Sequence, residues 1–168
     1  VAEADQFREL YNACYPRVLA YASGHVGRQL GEDVVSETFA VAWRRRHEIP
    51  VPPLPWLLGV ARNLLRTSRR TEIRQYELAA ATARHEQFGE DTGGIVTERA
   101  AVLAALRTLP ESEQELLTLV AWHGLTPKEA AKVLGCSTAT FAVRLHRARR
   151  RLEKAVADTQ DAAVGGRS

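Results

Sequence analysis

The chain has 168 residues, 45% of them apolar, with 23 Lys/Arg against 20 Asp/Glu and a formal net charge of +3. That apolar share excludes wholesale disorder, and the length suits one compact domain or two small ones. Two cysteines, Cys14 and Cys136, exclude a disulfide-framed fold, and five scattered histidines offer no zinc spacing, so no metal and no cofactor are expected.

The elements read in chain order are helical almost throughout, with little strand-like alternation. Phe7, Leu10, Tyr11, Cys14, Val18 and Tyr21 mark the apolar face of a first helix, and Gly24, Gly27 and Gly31 break the pattern. A second helix is predicted from about Glu32 to Arg46, with Val35, Phe39, Ala42 and Trp43 on one side. Between His47 and Pro55 stand four prolines, which favour an ordered extended loop. A third helix follows from Trp56 to about Arg70, striped by Leu57, Val60, Ala61, Leu64 and Leu65.

Residues 71–98 lose this periodicity and carry two basic against six acidic side chains, with Gly89, Gly93 and Gly94 among polar neighbours. They read as a flexible acidic linker. Basic residues dominate on both sides of it, ten against seven acids over 1–70 and eleven against seven over 99–168. Helicity resumes near Ile95 and runs to Thr108, followed by elements at about Pro110–His123, Pro127–Leu134 and Thr138–Ala157. The expected architecture is all-α: a helical domain over 1–72, a linker over 73–95, a second helical domain over 96–157 and a frayed tail over 158–168. No apolar run approaches the ~18 residues of a membrane span and no secretory leader is visible, so a cytoplasmic protein with no membrane partner is expected.

Residues 126–152 carry the sharpest local pattern. Thr126-Pro127-Lys128-Glu129 combines a capping hydroxyl, Pro at the first helical position and Glu three residues after the cap. Ala130, Ala131 and Leu134 form a buried side, Gly135 ends the helix, and Ser137 caps the next. This is a helix–turn–helix pattern. On the final helix, Phe141, Leu145, Ala148 and Leu152 share one face, while Thr140, Arg144, Arg147 and Arg151 share another. Arginines so placed suit phosphate oxygens and guanine edges, and the run Arg149-Arg150-Arg151 adds sequence-independent attraction. The plain alternative is a solvated basic face.

On the third helix Arg62, Arg66 and Arg69 lie opposite the leucines, with Asn63 and Arg70 beside them. Asn pairs bidentately with adenine and Arg grips phosphate, yet as a local pattern a solvated face serves equally well. Glu32, Asp33 and Glu37 lie near the start of the second helix, where acids meet the helix dipole favourably. Asp33 and Glu37 also share one exposed side, fit for a basic partner surface.

In this order the pieces resemble the extracytoplasmic-function class of sigma factors, the small two-domain specificity subunits of bacterial RNA polymerase. Glu32-Asp33-Val34-Val35-Ser36-Glu37-Thr38-Phe39 with Ala42-Trp43 is similar to the family's polymerase-binding helix. Pro55 to Leu65 resembles the segment that melts and reads the −10 promoter element. Leu106 to Pro110, Leu125 to Ala131, and Thr140 with Arg144 to Arg149 resemble the domain that reads the −35 element. The resemblance implies that Asp33, Ser36 and Glu37 meet the polymerase clamp, with Phe39 and Trp43 mainly in the core behind them. It implies that Arg62, Asn63, Arg66, Arg69 and Arg70 engage the −10 strand. Ser137, Thr138, Thr140, Arg144, Arg147 and Arg151 would contact the −35 duplex. Trp56 belongs to the core on this reading. Ser36 stands where the family often has Gln, and Ala142 where Lys or Arg is frequent.

The implied partners are core RNA polymerase, promoter DNA and an anti-sigma factor, and the chain is no enzyme in itself. Two other functions stay open on sequence alone. One is a conventional regulator that binds duplex DNA through residues 126–152 without polymerase. The other is a protein-interaction module whose basic faces are merely solvated.

Overall fold

The structure, a computed structural model, describes residues 2–67 and 93–166. Arg69, Arg70 and most of the expected linker lie outside the described residues. The N-terminal half holds α1 (Ala2–Val26), α2 (Arg28–Arg44), a 3₁₀ turn (Arg46–Glu48) and α3 (Leu54–Thr67). The C-terminal half holds α4 (Gly93–Thr108), α5 (Glu111–Ala121), α6 (Pro127–Leu134) and α7 (Thr138–Gly165). No strand occurs among the described residues, in keeping with the all-α expectation.

Each half builds its core in part from the predicted stripes, although Tyr11 is exposed and Val60 and Leu64 are only half-buried while Leu58 is buried in their place. Cys14, Val18, Tyr21 and Ala22 of α1 meet Val35, Phe39 and Ala42 of α2 and Leu57, Leu58, Ala61 and Leu65 of α3. Thr38 is wholly buried among them, and its hydroxyl is satisfied by donating to the Val34 carbonyl at 2.7 Å. In the second half, Leu106, Leu116, Leu119, Leu125, Ala130 and Ala131 close over Phe141, Leu145 and Ala148 of α7.

The glycines correct the sequence reading. Helix α1 runs through both Pro16 and Gly24, and only Gly27, at φ 82°, separates it from α2. Gly31, expected to break a helix, lies inside α2 where the two helices touch. A Cβ there would fall 2.7 Å from Ser23 Oγ and 2.8 Å from Ser23 Cα, so no larger residue fits without parting α1 from α2. The far end differs as well: α7 continues past Ala157 to Gly165, where a frayed tail was expected.

The predicted ends of α6 hold in full. The Thr126 hydroxyl accepts from the Glu129 N–H at 3.2 Å, and the Glu129 carboxylate accepts from the Thr126 N–H at 3.0 Å. Gly135 leaves the helix at φ 73°, the left-handed region that favours glycine. These two caps fix an eight-residue helix that is too short to persist alone.

The two halves also pack on one another, and their buried residues form a single apolar cluster. Helix α3 lies against α6 with Gly59 facing the Val133 carbonyl. Arg17 of α1 donates to the His123 carbonyl at 2.8 Å, and the His123 ring meets Tyr21 edge-on with centroids 5.1 Å apart.

Candidate nucleic-acid interface

Helix α7 displays the predicted polar row. Its buried side, Phe141, Leu145 and Ala148, is fixed by the core, which turns Thr140, Arg144, Arg147 and Arg151 outward. All four are exposed, as are Ser137 and Thr138 at the start of the helix. Ser137 is the N-cap: its hydroxyl oxygen accepts from the Thr140 N–H at 3.1 Å, and its O–H donates to Thr140 Oγ1 at 2.8 Å. The unsatisfied N–H groups and positive dipole end of α7 therefore sit beside the arginine row, and both attract phosphate.

Helix α2 offers a face of opposite sign. Asp33, Ser36 and Glu37 are all exposed on it, with Val35, Thr38 and Phe39 holding the other side in the core. Trp43 departs from the expectation of a core residue. It is 40% exposed, with one side of its ring against Phe7 at 5.1 Å and the Arg46 guanidinium 4.3 Å from the ring centroid. The indole thus closes the end of the core while leaving an aromatic surface at the rim. Trp56 is half-buried against the core, with Arg45 over its ring at 5.5 Å.

Helix α3 divides its predicted residues. Asn63 and Arg66 are exposed. Arg62 turns the other way, into the junction between the halves, where Glu115 of α5 engages its guanidinium. The two side chains retain only 14% and 9% exposure. Burial pushes the Arg62 pKa down, but the Glu115 hydrogen bond and charge outweigh it, so Arg62 is held above the usual arginine value. Glu113, two residues earlier, accepts from Arg151 of α7. A cavity of about 410 Å³ lies between these pairs, with Arg144 and Arg147 at its wall. Sequence reasoning missed both glutamates. Glu113 lies in the first turn of α5 and Glu115 in the next, and nothing local announces that arginines 38 and 53 positions away meet them.

The proline-rich loop before α3 makes a second cavity of about 220 Å³ against α1, floored by Phe7, Leu10 and Ile49. Arg46 and His47 stand at its polar edge, 3.0 and 3.1 Å from Glu3. Its apolar floor and polar edge have the size and character to receive a flat heterocycle.

Comparison with known proteins follows the same division. Residues 10–75 match the family model of sigma-70 region 2, and residues 99–152 match that of sigma-70, region 4. The chain is 33% identical to the ECF RNA polymerase sigma factor EcfG of Rhodopseudomonas palustris, across 88% of this chain and 83% of that protein. It is also 33% identical to the ECF RNA polymerase sigma factor BldN of Streptomyces coelicolor, across 93% of this chain but only 62% of that longer protein. Among solved structures, the sigma factor RpoE in complex with the anti-sigma factor NepR from Bartonella quintana shares the fold. The TM-score is 0.59 at 21% identity, covering 90% of this chain and 96% of that one. CnrH in complex with the cytosolic domain of CnrY gives a TM-score of 0.58 at 23% identity, covering 96% of this chain and 89% of the other.

Proposed function

The chain belongs to the extracytoplasmic-function sigma factors, regulatory proteins that direct promoter-specific transcription initiation, and on that premise we propose how its residues divide the work. Asp33, Ser36 and Glu37 dock α2 on core RNA polymerase. Asn63 and Arg66, with Arg62, Arg69 and Arg70, engage the −10 strand as it opens, and the cavity under the 47–55 loop captures an unstacked base. Ser137, Thr138, Thr140, Arg144, Arg147 and Arg151 read the −35 duplex. Residues 1–72 and 96–157 then act as two reading heads, joined by the acidic stretch 73–95. The polymerase contributes the nucleotidyl chemistry, and this chain contributes promoter choice inside the cytoplasm.

The observation that carries this reading is the exposed row on α7 behind a doubly capped α6. A recognition helix must hold its reading face rigid, and the capped helix before it supplies that support. An anti-sigma factor is proposed as a further partner because RpoE was solved with one.

The test is transcription in vitro with core RNA polymerase on a genomic promoter library, with and without the chain. New start sites sharing two spaced upstream elements are the expected result. No new start sites, together with tight duplex binding by the chain alone, would identify a conventional DNA-binding regulator instead.

A further inference from the structure

We propose that the free chain is self-latched: Glu115 and Glu113 of α5 take the place of nucleic-acid phosphates on Arg62 and Arg151, the Glu115–Arg62 pair closing one half on the other while Glu113–Arg151 occupies the arginine row within its own half. The inference rests on the reading of those two arginines as DNA contacts. Its own observations are geometric.

Arg62 lies on the N-terminal half and Glu115 on the C-terminal half, and they meet with little water around either side chain. Helix α5 aims its second carboxylate at the arginine row of α7, where Glu113 accepts from Arg151 at 2.5 Å. One short helix therefore occupies one guanidinium from each nucleic-acid face. Both pairs border the same cavity, whose wall includes Arg144 and Arg147. The Glu113 Oε2 atom is buried there without a hydrogen-bond partner among the described residues, leaving an acceptor that a further guanidinium can reach.

The chemistry explains why the latch would be reversible. A buried ion pair is a poor source of net stability, because desolvating both charges offsets most of their attraction. It is nonetheless highly selective, since parting it in place would strand a charge. When the halves separate, water solvates Glu115 and Arg62 becomes available to phosphate. The apolar contacts of α3 with α6 and of Tyr21 with His123 supply the remaining adhesion. Binding to a partner that needs the halves apart then opens the latch by its greater affinity for the open form.

The test compares three full-length proteins by small-angle X-ray scattering at low salt: the unaltered chain, Glu113→Gln/Glu115→Gln, and Arg62→Gln. Glutamine keeps the shape of glutamate and removes its charge. The unaltered chain is expected to be compact. Both variants are expected to increase in radius of gyration by at least about 3 Å, as two halves no longer seated on one another do. The glutamate variant should also bind a fluorescein-labelled, mixed-sequence single strand at least about threefold more tightly than Glu153→Gln/Asp158→Asn, which changes net charge equally on exposed parts of α7. An extended unaltered chain, superimposable scattering from all three proteins, opening by only one of the two variants, or equal binding by the two charge-matched variants would overturn the latch. A chain that directs transcription yet scatters identically in all forms would remove the latch alone. A chain that opens as expected but starts no transcription would remove the promoter-reading roles instead.

Discussion

Arg144 and Arg147 are exposed on a helix whose opposite side is locked by Phe141, Leu145 and Ala148, so their substitution separates binding from folding. Arg144→Ala is expected to weaken promoter binding by the polymerase complex by about 1–3 kcal/mol and to relax preference at one base pair. Its thermal unfolding should match the parent within about 0.5 kcal/mol. Titration on promoter fragments carrying single base changes reads the first effect, and calorimetry the second. Equal loss on every base change would mark Arg144 as a phosphate contact only. The arginines of α7 were legible in the sequence because helical spacing alone sorts them from the apolar residues. Arg62 was only half legible. Its distance from the leucines of α3 follows from periodicity, but its burial comes from α5, which the chain brings back after more than 40 residues. Trp43 was misjudged for a related reason: its ring closes the rim of the core, where Phe7 and Arg46 cover it only in part.

Among the elements, α6 was the most legible, since both its ends are written in local chemistry. Thr126→Ala removes the hydroxyl of a reciprocal cap and is expected to lower stability by about 1 kcal/mol. Thermal or denaturant unfolding measures this, and an unchanged midpoint would mean the cap is idle. The α1–α2 pair was the least legible. Gly24 looked like a break, yet tertiary packing carries α1 through it as it does through Pro16, overriding a propensity penalty of a few kcal/mol. Gly31 also looked like a break and is instead a point of close approach. Gly31→Ala would improve the intrinsic propensity of α2 by about 1 kcal/mol but drive a methyl into Ser23. Net destabilisation of about 1–3 kcal/mol is expected, because the clash falls on backbone as well as on the hydroxyl. A stabilised Ala variant would show that α1 and α2 shift apart freely.

For the whole molecule, the division into two helical halves was readable because two periodic regions flank an acidic, glycine-bearing stretch. The seating of one half on the other was not, because it depends on single residues such as Gly59, His123 and Glu115 that have no local signature. Phe141→Ala is expected to cost about 3–5 kcal/mol, since this wholly buried ring lies where α7 meets the rest of its half. The loss should abolish duplex binding before it affects docking of α2 on polymerase, which a pulldown on core enzyme would reveal. The pairing of acids with arginines across the molecule also changes what ionic strength does. Contacts to phosphates ordinarily release condensed cations, so affinity falls steeply and linearly on a double-logarithmic salt axis. Here salt would also raise the fraction of chains able to bind, chiefly by loosening the exposed Arg151 from Glu113, since the buried Arg62–Glu115 pair is screened far less. The isolated chain should therefore show a curved plot, shallow in dilute buffer and steepening toward the full slope as salt rises, and its tightest binding would come at an intermediate salt concentration or on a plateau below it.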